Sequence, residues 1–124
     1  MSSQLVLDAA VLRSITEIAG DQPQALLEEL FTLLLESGET QLAIIRNAEP
    51  GDFDTIMRAA HTLKGGAGSV GAIEVAHISA QIETQARLRR LGPWQNMADD
   101  LHQALLRLRE TAAGMGYSTA AEAA

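Results

Sequence analysis

The 124-residue chain has no cysteine, three prolines and only four aromatic side chains. Without thiols there is neither a disulfide framework nor a thiolate metal site. With aromatics at 3%, the core has to be assembled from Leu, Ile, Val, Ala and Met, which suits helices packed on helices. No apolar stretch approaches the roughly 20 residues that span a bilayer; the longest lies around Leu30 to Leu35. The first residues include Asp8 and no Lys or Arg, unlike a secretory signal, so a cytoplasmic location without membrane contact is expected. Nine Lys and Arg face 16 Asp and Glu, a net charge of −7, which is the wrong sign for a nucleic-acid partner.

Hydrophobic residues at 47% of the chain are enough for one core, and the length is too short for two. The charge is uneven. Between positions 58 and 90, Arg58, Lys64, Arg87, Arg89 and Arg90 face only Glu74 and Glu83, five cations against two carboxylates, or +3. The other four cations and 14 carboxylates give −10. A basic island on an acidic protein suits an anion or an acidic partner, although alternating acidic and basic helices would also produce it.

Apolar residues recur three and four apart, and no alternating strand pattern occurs. Asp8 can cap a short first helix carrying Val11, Leu12, Ile15 and Ile18, ended by Gly20. Pro23 opens a second helix running through Leu26, Leu27, Leu30, Phe31, Leu34, Leu42 and Ile45 to about Ala48, with Gly38 as a possible bend. After the Pro50-Gly51 turn, Asp52 caps a third helix that buries Phe53, Ile56, Met57, Ala60, Leu63 and Ala67. A turn at Gly68–Gly71 leads to a fourth helix, with Ile73, Val75, Ala76, Ile78, Ala80, Ile82 and Ala86 as core candidates. Gly92-Pro93 breaks it, and a last helix starts near Trp94 with Met97, Leu101, Leu105 and Leu108. The expected fold is all-α, an up-down antiparallel four-helix bundle with a short extra N-terminal helix. The bundle domain is expected over 1–113, with a flexible tail over 114–124. Met57, Met97 and Met115 read as core or near-core fillers, Trp94 as a packing cap over the bundle end, and Asp99-Asp100 as a solvated face.

The third helix holds the most informative segment, His61-Thr62-Leu63-Lys64-Gly65-Gly66-Ala67-Gly68. On a 100° wheel His61 lies far from the apolar stripe, with Arg58 and Gly65 beside it. Lys64 shares its face one turn on, its stem packed and its ammonium free to reach outward. Glycine inside a helix costs about 1 kcal/mol relative to Ala, so three in one stretch suggest a close approach. A nucleophilic imidazole, a nearby cation and an uncluttered surface suit a phosphoryl group. Reflection about the Gly68–Gly71 turn sets position 83 opposite position 58, and the lean of helical side chains brings Glu83 to His61. There it can accept the Nδ1 hydrogen and leave Nε2 free. Glu83 can equally pair with Arg87 four residues on. No Gly-rich phosphate loop or magnesium-binding carboxylate cluster accompanies His61, so the metal and the activated phosphate must come from a partner. His77 and His102 do not have the spacing of a helical zinc site and read as surface or boundary histidines.

The run His61-Thr-Leu-Lys-Gly with Gly71 ten residues on resembles histidine-containing phosphotransfer (HPt) domains of bacterial multistep phosphorelays. Leu26–Leu35, the Gly51-Asp52 turn and Ala86-Arg87 extend the resemblance over most of the chain. It implies that His61 accepts a phosphoryl group from the aspartyl phosphate of a response-regulator receiver domain and passes it to another. It further implies that Lys64 steadies the phosphate, Gly65 gives clearance, and Glu83 orients the imidazole. Arg58, Gly68 and Arg87 would contact the partner. The chain would be a monomeric phosphocarrier without kinase activity or bound cofactor, with Mg2+ held by the partner receiver. Two positions depart from the family pattern: Gly66 stands where Ser or Ala is common, and Glu83 where several members have Gln. Two other readings stay open, a phosphoacceptor domain of a larger hybrid or chemotaxis-type histidine kinase, and a helical adaptor in which His61 is incidental.

Overall fold

The computed structural model describes residues 6–90 and 93–119. Five helices follow in order: α1 (Ala9–Ile18), α2 (Pro23–Asn47), α3 (Phe53–Ser69), α4 (Ile73–Arg87) and α5 (Trp94–Gly114). Among the described residues there is no strand, and no helix is long and apolar enough to cross a membrane.

The starts of the helices follow local chemistry. Asp8 Oδ1 accepts from Ala10 N–H at 2.9 Å and caps α1. Pro23 takes the first turn of α2, whose N-cap Gln22 makes no side-chain cap bond. Asp52 accepts from the Thr55 hydroxyl at 2.7 Å and its N–H at 3.3 Å. Those bonds hold the Asp52 carboxyl below its ordinary pKa and fix the start of α3. Pro93 precedes α5; Gly92, paired with it as the expected breaker, lies outside the described residues.

Helices α2 to α5 pack in a ring, α2 on α3, α3 on α4, α4 on α5 and α5 on α2, with α1 laid against α2. Cross-links show that neighbours run antiparallel. Arg46, late in α2, pairs with Asp99, early in α5, at 2.9 Å, so Asp99 is not simply solvated. Gln24, early in α2, donates to the Gly116 carbonyl beyond the end of α5. Glu74, early in α4, holds Arg107, late in α5, at 2.7 Å. The core is aliphatic around Phe31, with Leu27, Ile45, Ile56, Leu63, Val75, Ile82, Leu101 and Leu108 buried. In α4, Val75, Ile82 and Ala86 are fully inside, whereas Ile73, Ala76, Ile78 and Ala80 are half-buried. Trp94 is buried at the start of α5.

Gly38 is not simply a bend point. A Cβ there would stand 2.6 Å from Leu105 Cδ2, so the missing side chain lets α2 and α5 approach closely. Gly71 has φ +74, and a Cβ on it would meet Val11 Cβ at 2.9 Å. It lies under α1, where Asp8 N–H donates to its carbonyl and Ile73 N–H donates to the Val6 carbonyl. These bonds fasten the chain ahead of α1 to the α3–α4 turn. Arg89 ends α4 with φ 57, a left-handed position that costs a non-glycine residue about 1–2 kcal/mol. Its guanidinium lies 5.8 Å above the Phe53 ring, a contact glycine could not make.

Two further expectations change. The chain from Gly114 to Thr119, expected as tail, folds back on α2: Tyr117 packs 5.5 Å from Phe31 and Ser118 N–H donates to Glu28. One late aromatic among small residues supplies that anchor, and positions 120–124 lie outside the described residues. Met115, read as a core or near-core filler, is 49% exposed just past the end of α5, and Ile18 at the end of α1 is 83% exposed.

Candidate functional site

His61 projects from the middle of α3, its side chain 67% exposed. Its Nδ1 stands 2.8 Å from Glu83 Oε2 across the α3–α4 contact. An ionised carboxylate only accepts, so the neutral ring carries its hydrogen on Nδ1 and presents a bare Nε2. Glu83 itself is buried, its side chain 4% exposed. It is enclosed by the side chains it binds. Lys64 Nζ lies 2.7 Å from Oε1, and the Arg87 guanidinium donates to Oε2 at 2.8 Å. The Lys64 hydrogen bond holds the Glu83 carboxyl below its ordinary range, against the opposing effect of burial and with help from His61.

The Lys64 ammonium thus does not reach outward: it turns onto Glu83. Carboxylate, lysine and arginine together leave one positive charge beside the imidazole. Arg58 lies on the exposed side of α3 and, with Met57, His61, Thr62, Glu83 and Arg87, lines a shallow groove of about 480 Å3. On the other flank, Lys64 and Gly68 border a second groove of about 400 Å3, floored by Val11, Ile73 and Ala76 and reaching His77. Around Gly65 and Gly68 nothing lies within 4 Å of a built Cβ, while one on Gly66 would rest on Leu34 at 3.6 Å. The approach to Nε2 is therefore open on the glycine side. His77 is exposed and His102 half-buried, and among the described residues no group of three His, Asp or Glu could hold a metal ion.

The sequence leaves two features undrawn. One is the burial of Glu83, although its spacing of four from Ser79 and three from Ala86 places it on the edge of the buried stripe of α4. The other is the apolar groove beside Lys64, which depends on where α1 lies, and α1 is positioned by backbone bonds that no side-chain pattern reports.

The chain shares the fold of the crystal structure of histidine-containing phosphotransfer protein B (HptB) from Pseudomonas aeruginosa PAO1, with a TM-score of 0.78. The two are 24% identical, over 91% of this chain and 96% of that one. No curated protein matches in sequence. The model of the Hpt domain matches residues 29–111, more than half of the chain and the whole His61–Glu83–Arg87 arrangement. The chain belongs to the Hpt domain family.

Proposed function

We propose that His61 is the phosphoacceptor of this chain, taking a phosphoryl group on Nε2 from the aspartyl phosphate of a receiver domain and passing it to a second receiver. Hpt domains are phosphocarriers that work with receiver domains and kinases. The observation that carries the reading is an exposed imidazole with its Nδ1 tied to a buried carboxylate, which keeps the Nε2 lone pair pointing at solvent. In the forward step that lone pair attacks phosphorus, the P–O bond to the partner's aspartate breaks, and the carboxylate leaves with its electron pair. The ring then holds the phosphoryl group on Nε2 and its hydrogen on Nδ1, a cationic imidazolium, and the Glu83 carboxylate offsets that charge. Return to an aspartate runs the same steps backwards. Alignment and charge compensation are most of what such a transfer requires, and the partner receiver is expected to supply Mg2+.

Incubation with a phosphorylated receiver tests the reading. The chain should acquire an acid-labile label that His61→Gln abolishes, with the helical spectrum and melting temperature nearly unchanged. Label retained in His61→Gln, or none on the parent under saturating donor, would sink it. Lys64→Ala should slow transfer or shorten the lifetime of the phosphohistidine.

A further inference from the structure

Glu83 has more partners than an orienting group needs, and they are divided unequally between its two oxygens. Oε1 receives Lys64. Oε2 receives both the imidazole Nδ1–H and Arg87. We infer that this division is functional: Lys64 is the partner that leaves, and Arg87 is a positioning residue that keeps Glu83, and through it His61, in place when Lys64 moves to the phosphoryl group. The inference rests on the reading of His61 as phosphoacceptor and concerns how its site is held through the reaction.

A phosphoryl group arriving on Nε2 changes the charge balance of the site. Its oxygens bring about two negative charges at neutral pH, and the nearest ammonium is Lys64, one helical turn from His61 on the same helix. Lys64 can swing toward them by rotating its own side chain, which is 39% exposed. Because it occupies the oxygen that the imidazole does not use, its departure leaves the Nδ1–H bond unbroken. It would, however, strand a buried carboxylate with one fewer cation, and an unpaired buried charge is costly. Arg87 prevents that. It sits four residues from Glu83 on the same helix, so no relative motion of α3 and α4 separates the two. It also shares Oε2 with the imidazole, so any shift of Arg87 shifts the atom that fixes the ring. Without Arg87, Lys64 could not leave Oε1 without exposing Glu83 to that penalty, and it would remain on the carboxylate instead of the phosphate.

A docking role for Arg87, 59% exposed at the groove beside His61, predicts something different. It would weaken partner binding and leave the free protein unchanged. The separating measurement is made on the full unphosphorylated chain labelled with nitrogen-15, at about pH 8.5, where an ordinary imidazole is neutral. Long-range proton–nitrogen correlations then report which ring nitrogen of His61 carries the hydrogen. The parent should show the Nδ1–H form almost alone. Arg87→Ala should show a mixture of tautomers, Arg87→Lys should recover most of the parent pattern, and Lys64→Ala should leave it unchanged. Phosphoryl acceptance by Arg87→Ala should fall roughly tenfold, as expected for a reacting group held less firmly. In the Arg87→Ala background, Lys64→Ala should have little further effect on phosphohistidine lifetime. An Arg87→Ala protein with the parent's tautomer pattern, or lifetimes to which the two substitutions contribute independently, would overturn the inference. The tautomer reading needs no phosphate, so it stands or falls apart from the labelling of His61.

Discussion

At Glu83 two effects oppose each other. Burial raises the energy of its ionised form, while bonds from Lys64 and His61 lower it, and the bonds win, so the folded-state pKa lies below the ordinary value of 4.5. For a carboxyl with the lower value in the folded state, the stabilisation is complete above the ordinary range and is lost as pH falls through the folded value. Glu83→Gln should therefore lower stability by a constant amount near neutrality, and the gap to the parent should narrow below about pH 4.5. Denaturant melts at stepped pH measure this; acid limbs that run parallel in the two proteins would show that Glu83 contributes no such linkage. Gly65 tests a different property of the same site. It has open space around it, so Gly65→Gln should raise stability by about 0.5–1 kcal/mol through helix propensity. The same change should slow transfer from a receiver at least tenfold, because the side chain would stand where the donor must approach. A variant that gains stability and transfers at the parent's rate would remove the clearance role.

Most of the helices could be read from the sequence because their signals are local. Asp8, Asp52 and Pro23 mark helix starts by chemistry that acts within three residues, and the three-and-four spacing of Leu, Ile and Ala fixes which side is buried. The contact between His61 and Glu83 was also legible, since a short turn, three residues from Val70 to Ala72, between two regular helices leaves one geometry for the residues that face each other. What could not be read depends on distant elements. Gly38 looks like a weak point in α2 until Leu105 of α5 is found against it. Lys64 looks outward on a wheel of α3 alone, and only the depth of Glu83 on α4 draws it in. Gly38→Ala is therefore expected to destabilise despite the better helix former: the clash with Leu105 should cost about 1–3 kcal/mol, against about 1 kcal/mol gained from propensity. Adding Leu105→Ala should remove that clash, so the double variant should be less destabilised than the two single changes taken together. Additive losses in chemical denaturation would show that the two helices do not meet at this pair.

At the scale of the molecule, folding turns a sequence segment into a surface. Arg58 and Arg87 flank the groove at His61, Arg89 reaches over Phe53 at the adjoining end of the α3–α4 pair, and Arg90 is exposed beside it. The segment 58–90 carries +3 while the rest of the chain carries −10, so arginines are concentrated around His61 on an otherwise acidic protein. An aspartyl phosphate in a receiver is anionic, and the two fields should draw the partners together with the imidazole leading. Fields of this kind act mainly on the rate of encounter and are screened over about 10 Å at 0.1 M salt. Raising ionic strength from about 0.05 M to 0.5 M should thus slow association with a receiver about tenfold, with the dissociation rate and the transfer step within the complex little affected. Arg58→Ala and Arg90→Ala should each lower the low-salt association rate and flatten its salt dependence, without altering the His61 tautomer, because neither touches Glu83. Stopped-flow association across a salt series separates the two possibilities: if the rate is insensitive to salt, encounter is governed by the apolar groove beneath α1 and not by the arginines around His61.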